Sequence, residues 1–324
     1  MTQKNGEYTR YDREAAKILD DFLPRKIFDA HCHPDDFSKY LADTEPLFGK
    51  RERTVNMIPM PTSGMADPVT GKATPELNAS TENIRKELLL HPEICAEIMV
   101  APGDTAEDIE RRIVSVGSSR LIGLKPYHLL AVKKPTFQAE VGEYLPESAW
   151  EVAEKHHLAI TLHLVKDWSL SDPANLTYVK DHAAGYPEVK LILAHCARSF
   201  AAWTGIESID EICRVDNIFY DFSGICESPA MFMLLKKAGV GKCMWGSDYP
   251  ISLFAGKAIS LADSFYWIGE KDLESFAGPT EFHSWLVGTE NLMAVRQTAQ
   301  MLELTTAEVE NFFSGTAEKL LIGR

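Results

Sequence analysis

Between residues 26 and 248 the chain alternates short apolar runs with amphipathic stretches. Eight runs are rich in β-branched and other apolar residues, and most close on polar ones: KIFDA (26–30), TVNMI (54–58), ICAEIMV (94–100), LIGLK (121–125), LAITLH (158–163), VKLILAH (189–195), IFYDFSG (218–224) and KCMWGSD (242–248). Near-continuous hydrophobicity is what strands buried on both faces require. Between them, TENIRKELLLHP, TAEDIERRIVSVG and PESAWEVAEKHH carry apolar residues at the helical spacing of three and four. Thr81 and Thr105 stand as N-caps, each with an acidic residue close behind. Such strand–helix alternation predicts βαβ units and a parallel sheet.

Eight units of this kind build either a closed barrel or an open doubly wound sheet. The open fold usually carries a Gly-rich phosphate loop after its first strand, whereas here the first strand runs into HCHPDD. The pattern therefore predicts an α/β protein, a (β/α)8 TIM barrel. No Gly/Ser linker, charge block or low-complexity segment interrupts the chain, so residues 1–324 are read as a single barrel domain. Three additions are expected: an extra N-terminal helix over 11–22, long loops after strands 1, 2 and 8 (35–53, 59–80 and 251–288), and C-terminal helices. The terminal stretch TTAEVENFFSGTAEKLLIGR reads as a helix capped by Thr306 followed by a second short one. Loops that follow barrel strands carry the chemistry, so those three are the expected substrate loops.

The formal net charge of −14 narrows the partners. An acidic surface repels phosphate backbones and anionic lipid, which argues against nucleic acid and membrane and leaves a small-molecule substrate. A small anion stays compatible if cations line its pocket. The six cysteines form no C-x-x-C pair and read as reduced thiols of a cytoplasmic protein. The first 25 residues are too polar for a signal peptide, and no apolar run approaches the roughly 20 residues of a membrane span.

The chemistry gathers at strand ends. His31 and His33 lie two apart at the end of strand 1, and side chains at i and i+2 of a strand point the same way. Both would face the barrel axis, where they can share a divalent ion. His163 and His195 close strands 5 and 6, and Asp248 follows strand 8. Each alone has an ordinary explanation as a hydrogen-bonded strand-end or turn residue. Together they place four of the ten histidines at ends that converge in a barrel, which predicts a metal site. A His/carboxylate set is expected to take zinc and also accepts manganese, iron or cobalt. Tyr127, His128, Lys166, Arg198 and Tyr249 follow strands 4, 5, 6 and 8 and are read as pocket-lining residues that supply positive charge, with Glu227 after strand 7 as a further candidate. Arg198 could grip a carboxylate through two parallel hydrogen bonds.

The motifs FDAHCH, GLKPYH, TLH, LAHC, DFSG, WGSDYP and GTAEKLL together resemble the amidohydrolase superfamily, and within it the amidohydrolase-related group that includes the aminocarboxymuconate-semialdehyde decarboxylases. The resemblance runs from about residue 26 to residue 321, with Thr316 standing where the family usually has Asn. It implies one divalent metal ion held by His31, His33, His163 and Asp248. Asp248 would also serve as the catalytic acid–base, and His195 would contact the reacting water. In binuclear relatives a lysine on strand 4 is carboxylated and bridges two ions. The group that this chain is most similar to usually holds one, which leaves Lys125 to bind substrate. The expected function is a metal-dependent hydrolase that uses activated water to cleave a lactone, ester or amide bond of a small organic acid, the expected substrate being a carboxylate. A non-oxidative decarboxylase on the same scaffold is the alternative, since the ligand set is shared. A non-catalytic ligand-binding barrel is disfavoured because no ligand position is lost. The extra helix and long loops are compatible with a homodimer.

Overall fold

The computed structural model describes residues 8–269, 271–272 and 284–323. Eight parallel strands follow one another around the sheet in sequence order: β1 (Lys26–Cys32), β2 (Glu52–Met57), β3 (Ile94–Met99), β4 (Leu121–Lys125), β5 (Ala159–Leu162), β6 (Lys190–Leu193), β7 (Ile218–Asp221) and β8 (Cys243–Met244). The ring closes between the last strand and the first, where Ala30 N donates to Trp245 O (3.0 Å) and Asp248 N donates to His31 O (2.8 Å). The fold is thus the (β/α)8 barrel that the alternation predicts. Every apolar run becomes a strand, and LIGLK keeps its limits. The last run supplies only two strand residues, because Ser247 N turns to the Asp29 carboxylate (2.8 Å) and the backbone bends over β1.

The helices are α1 (Arg10–Asp20), α2 (Phe37–Phe48), α3 (Pro75–Leu90), α4 (Ala106–Val116), α5 (Glu147–His156), α6 (Pro173–Gly185), α7 (Ser228–Ala238), α8 (Val287–Met301) and α9 (Thr306–Glu310), with one helical turn at Trp203–Ile206. Thr105 caps α4 in a capping box with Asp108, as its sequence predicts. Five expectations are corrected. Thr81 is not a cap: α3 begins six residues earlier behind Thr74, with Pro75 in its first turn, and the Thr81 hydroxyl bonds back to Leu77 O within the helix. The cap of α9 is Thr305 rather than Thr306, because its hydroxyl accepts from Glu308 N while Glu308 bonds back to it. The expected second C-terminal helix is a continuation of α9 through two π-type turns, Asn311–Gly315 and Glu318–Ile322. The stretch 35–53 is mostly α2 rather than a loop, started by Asp36, whose carboxylate accepts from Lys39 N. The expected loop 251–288 contains an antiparallel hairpin, β9 (Gly256–Leu261) and β10 (Ser264–Gly269). Residues 270 and 273–283 of that stretch lie outside the described residues.

The two ends of the barrel differ in chemistry, and that difference positions the site. Phe28, Ile122, Ile192 and Met244 form an apolar layer near the N-terminal end, plugged from below by Leu320 and Leu321 from the C-terminal helix. Above this layer the inward positions turn polar: His31, Asn56, Glu97, Lys125, Thr161 and Asp221 are all buried. Buried polar groups need partners, so this upper layer is a network or a site. Among the described residues no helix is long and apolar enough to cross a membrane.

Candidate metal centre

His31 ends β1 with its ring buried and both nitrogens engaged. Its Nδ1 lies 2.9 Å from Asp221 Oδ2, so Nδ1 carries the proton and donates it to the carboxylate. Its Nε2 is then a bare lone pair, and it lies 3.2 Å from His33 Nε2 and 3.3 Å from Lys125 Nζ. Burial, with the Lys125 charge adding to it, pulls the His31 pKa down to about 3, so the ring is neutral near pH 7. His33 repeats the arrangement: its Nδ1 faces Ile58 O at 3.1 Å, a bond that requires the proton on Nδ1 and, in the neutral ring, leaves Nε2 bare, 3.5 Å from Asp248 Oδ1. With both rings neutral, two lone pairs face each other at 3.2 Å beside a carboxylate. Lys125 Nζ can donate to the His31 nitrogen alone, so the pair is suited to a shared cation.

His195 and Asp248 complete a compact set. One donor atom from each of His31, His195 and Asp248 lies within 4.8 Å of the other two. The His195 Nδ1 donates to Ser223 O (2.9 Å), which turns its other nitrogen toward the His31 ring, 5.1 Å away between centroids. Burial pushes the Asp248 carboxyl up, but His195, His33 and His31 outweigh it and hold the group below the usual carboxylate range. His163, expected as a ligand, stands one ring further round, 5.0 Å from His195 between centroids. Its buried Nδ1 has no hydrogen-bond partner, and burial together with His195 keeps its pKa well below the ordinary histidine value. An orphaned imidazole nitrogen, two opposed lone pairs and an ionised carboxylate are the donor set that a divalent cation fits. The five strand-end groups lie near one another, and the tightest trio is His31, His195 and Asp248, which leaves out both His33 and His163 of the expected ligand set.

The loop that carries Asp248 is locked onto β1 by hydrogen bonds and by a missing side chain. Ser247 N bonds Asp29, whose other oxygen accepts from Tyr40 OH (2.8 Å). A Cβ at Gly246 would lie 2.8 Å from His31 Cβ and 3.0 Å from His31 N. Real Cβ atoms do not approach so closely, so Gly246→Ala must push β1 and the Asp248 turn apart. We expect it to cost about 1–3 kcal/mol in chemical denaturation, as overpacking does, and to lower turnover by a larger factor than the stability loss explains.

The remaining candidates divide. Lys125 is wholly buried at the cluster. Burial lowers its pKa, opposed by Glu97, Asp221 and Asp248. Tyr127 stacks edge-on to His163 (5.1 Å), and the His128 ring lies 5.6 Å from His163 with its Nδ1 near Thr136 Oγ1 (3.2 Å). Arg198 reaches the same mouth. Tyr249 turns away from it: its hydroxyl donates to Asp43 (2.7 Å) and its ring meets Tyr40 on α2. Lys166 is committed to Glu140 (2.8 Å) and Asp172 (3.1 Å). Glu227 accepts from Ser260 N and Oγ, pinning the β9–β10 hairpin. Glu227 also borders a cavity of about 780 Å3 against α7 and α8, which none of the clustered histidines lines. The chemistry therefore lies in the barrel mouth rather than in that cavity.

Three groups at the site are not singled out by the sequence. Asp221, in the DFSG run, bonds His31 through one oxygen, and through the other accepts from His195 N (3.2 Å), Ser223 N (3.1 Å) and Ser223 Oγ. Glu97 accepts from Asn56 (2.8 Å) and Thr161 (2.6 Å) below Lys125, and burial raises its pKa to about 7. Phe200 faces His195 at 5.5 Å and stacks on Phe265 of the hairpin at 4.7 Å. Asp221 had a readable signal, an acidic residue closing an apolar strand.

Comparison with known proteins agrees with this fold. A solved amidohydrolase from Burkholderia multivorans with bound zinc superposes with a TM-score of 0.58 at 12% identity, over 91% of this chain and 99% of that one. A 2,6-dihydroxybenzoate decarboxylase from Rhizobium gives a TM-score of 0.56 at 12% identity, over 92% and 98%. A 5-carboxyvanillate decarboxylase from Novosphingobium aromaticivorans, complexed with manganese and 4-hydroxy-3-methoxy-5-nitrobenzoic acid, gives 0.54 at 13% identity, over 88% and 79%. At such identities the likeness is one of fold. No curated protein matches the sequence. The profile of the amidohydrolase family matches residues 28–322, nearly the whole barrel with its metal-competent cluster, and the chain belongs to that family of enzymes.

Proposed function

We propose that the protein is a metal-dependent hydrolase that cleaves a lactone, ester or amide bond of a small organic acid, with one divalent ion, zinc by preference, held by His31, His33, His163 and Asp248. The supporting observation is the pair of bare imidazole nitrogens, His31 Nε2 and His33 Nε2, 3.2 Å apart beside the Asp248 carboxylate. An ion held by these residues would supply Lewis acidity and make water a stronger acid at neutral pH. Asp248, kept ionised by the surrounding imidazoles, accepts the proton of the attacking water and returns it to the leaving group. His195, its Nδ1 proton committed to Ser223 O, offers Nε2 as acceptor to that water and so orients it. Lys125, Tyr127, His128 and Arg198 bind the substrate, with the cations matched to its carboxylate. Tyr249 acts on the site only through the turn it shares with Asp248.

A second reading, decarboxylation, is supported by the decarboxylases among the structural neighbours, because the same donors serve both reactions. Parallel assays separate the two. Ester, amide and lactone panels are followed by acid release, and hydroxybenzoate panels by CO2 release. Acid release without CO2 is the expected outcome. CO2 from any carboxylic acid, with every ester, amide and lactone left intact, would replace the hydrolytic reading with the lyase one.

A further inference from the structure

Directly after β6 the backbone does something that L-amino acids avoid. His195, Cys196, Ala197 and Arg198 have φ of 55°, 54°, 58° and 58°, and Ser199 N closes the turn onto His195 O at 3.0 Å. This is one turn of left-handed helix, and among the described residues no other run of consecutive non-glycine residues takes positive φ. Left-handed conformations normally occur as single residues, and strained ones persist only where the surroundings over-determine them. Here two sides do so. From β7, Asp221 accepts from His195 N (3.2 Å). From the loop after β5, the buried Ser169 hydroxyl lies 3.1 Å from Ala197 O and 3.0 Å from Arg198 O and donates to both carbonyls in turn. Ser169 is itself fixed, because Asn175 Nδ2 donates to Ser169 O (2.7 Å) and Val165 O (2.9 Å).

The turn delivers two side chains at once. The His195 ring goes to the metal-competent cluster, and the Arg198 guanidinium goes to the mouth above it. Arg198 is 9% exposed and spends one N–H on Lys166 O (3.0 Å). Among the described residues no carboxylate forms an ion pair with it, and Asp167 acts on its charge only from beyond ion-pair distance. A guanidinium has five N–H donors, and a nearly buried charge without a partner is costly unless a ligand completes it. In a chain of net charge −14, this unpaired cation marks a place for an anion. The shape of the place is also defined. The guanidinium carbon lies 5.8 Å from the Phe137 ring centroid and 5.3 Å from that of Phe265. Phe137 arrives from the loop after β4 and Phe265 from the hairpin after β8, on the two sides of β6 in barrel order. The two rings flank the guanidinium, and a planar carboxylate aligned with its N–H fork takes two parallel hydrogen bonds. A tetrahedral anion on the same fork would set a further oxygen out of the fork plane, beside the flanking rings.

We propose that Ser169 is a positioning residue which holds the left-handed turn His195–Arg198, and that this turn presents Arg198, between Phe137 and Phe265, as the receptor for a planar carboxylate of the substrate in preference to a tetrahedral anion. The proposal rests on the reading of this mouth as the substrate site, and it is independent of which bond is broken there.

Calorimetric titration of the metal-loaded full-length protein with benzoate, benzamide and phenylphosphonate tests it. Benzoate should bind at least about tenfold more tightly than either of the others, and Arg198→Gln and Arg198→Lys should each remove that preference, since the lysine keeps the charge but loses the fork. Ser169→Ala should lower benzoate affinity severalfold while leaving benzamide affinity unchanged. A purely structural defect would move both. Phenylphosphonate binding as tightly as benzoate, a full benzoate preference in Arg198→Gln, or an unaltered benzoate-to-benzamide ratio in Ser169→Ala would each overturn the proposal. Benzoate binding that survives Arg198→Gln but disappears on chelation would overturn it as well and leave the metal reading standing. Arg198-dependent benzoate binding in a protein that holds no metal would support it while the metal reading fails.

Discussion

Replacing Asp248 with Asn is expected to lower kcat/KM by about 10²–10⁴-fold, the range that a positioned general base supplies, with far-UV circular dichroism and cooperative unfolding retained. The substitution keeps shape and one acceptor oxygen, and the backbone bonds that hold the turn, Asp248 N to His31 O and Ser247 N to Asp29, do not involve the side chain. What it removes is the negative charge. Three histidines lie close enough to depress the Asp248 pKa, and no other carboxylate belongs to the compact trio with His31 and His195. The amide can neither accept a proton from water at neutral pH nor balance a divalent charge. Steady-state kinetics on any turned-over substrate checks the prediction. Turnover at the wild-type rate would remove Asp248 from the chemistry.

Asp221→Asn is expected to weaken divalent-metal affinity about 10–100-fold, as loss of a carboxylate that orients a histidine ligand does elsewhere. The reason is a count of donors. One Asp221 oxygen accepts from His31 Nδ1, and the other accepts from His195 N, Ser223 N and Ser223 Oγ. An amide can offer its oxygen to only one side. With the oxygen toward His31, its NH2 meets three donors. With the oxygen toward Ser223, the His31 tautomer loses its anchor and Nε2 is no longer held bare. Buried donors left without acceptors also cost about 1–3 kcal/mol each. Competition against a chromophoric chelator reads the affinity directly. An unchanged dissociation constant would mean that His31 needs no help from β7 to present its nitrogen.

The order and position of the eight strands were legible because each has to be apolar on both faces, a demand strong enough to show through 20- to 40-residue spacings. The metal-competent cluster was legible for a related reason. A parallel barrel sends all strand ends to one rim, so histidines at the ends of β1, β5 and β6 must meet. What stayed hidden depended on contacts between distant segments. Asp221 is 190 residues from the His31 ring that it orients, and nothing near DFSG announces that partner. The choice between His163 and His195 in the tightest trio is set by a left-handed turn with no Gly or Asn to signal it. Helix starts slipped where side-chain chemistry was ambiguous. Thr81 carries the same local signature as Thr105, but the Pro75 turn begins the helix first and leaves the Thr81 hydroxyl to bond inside it. Tyr249, adjacent to Asp248 in sequence, faces α2 instead of the mouth, because both lie in the turn beyond β8, where Asp248 takes a positive φ of 56° and the Tyr249 hydroxyl is held by Asp43.

The fold gathers imidazole nitrogens and one ionised carboxylate closely enough to hold a divalent cation. The direct measurement is the metal content of protein purified without added metal, by elemental mass spectrometry, for the wild type and for the His31→Ala/Asp248→Asn double variant. About one equivalent of zinc or a similar divalent ion per wild-type chain is expected, and a small fraction of that in the double variant, with turnover lost when the ion is stripped and restored when it is returned. Wild-type protein that carries no stoichiometric metal and turns over unchanged in excess chelator would contradict it.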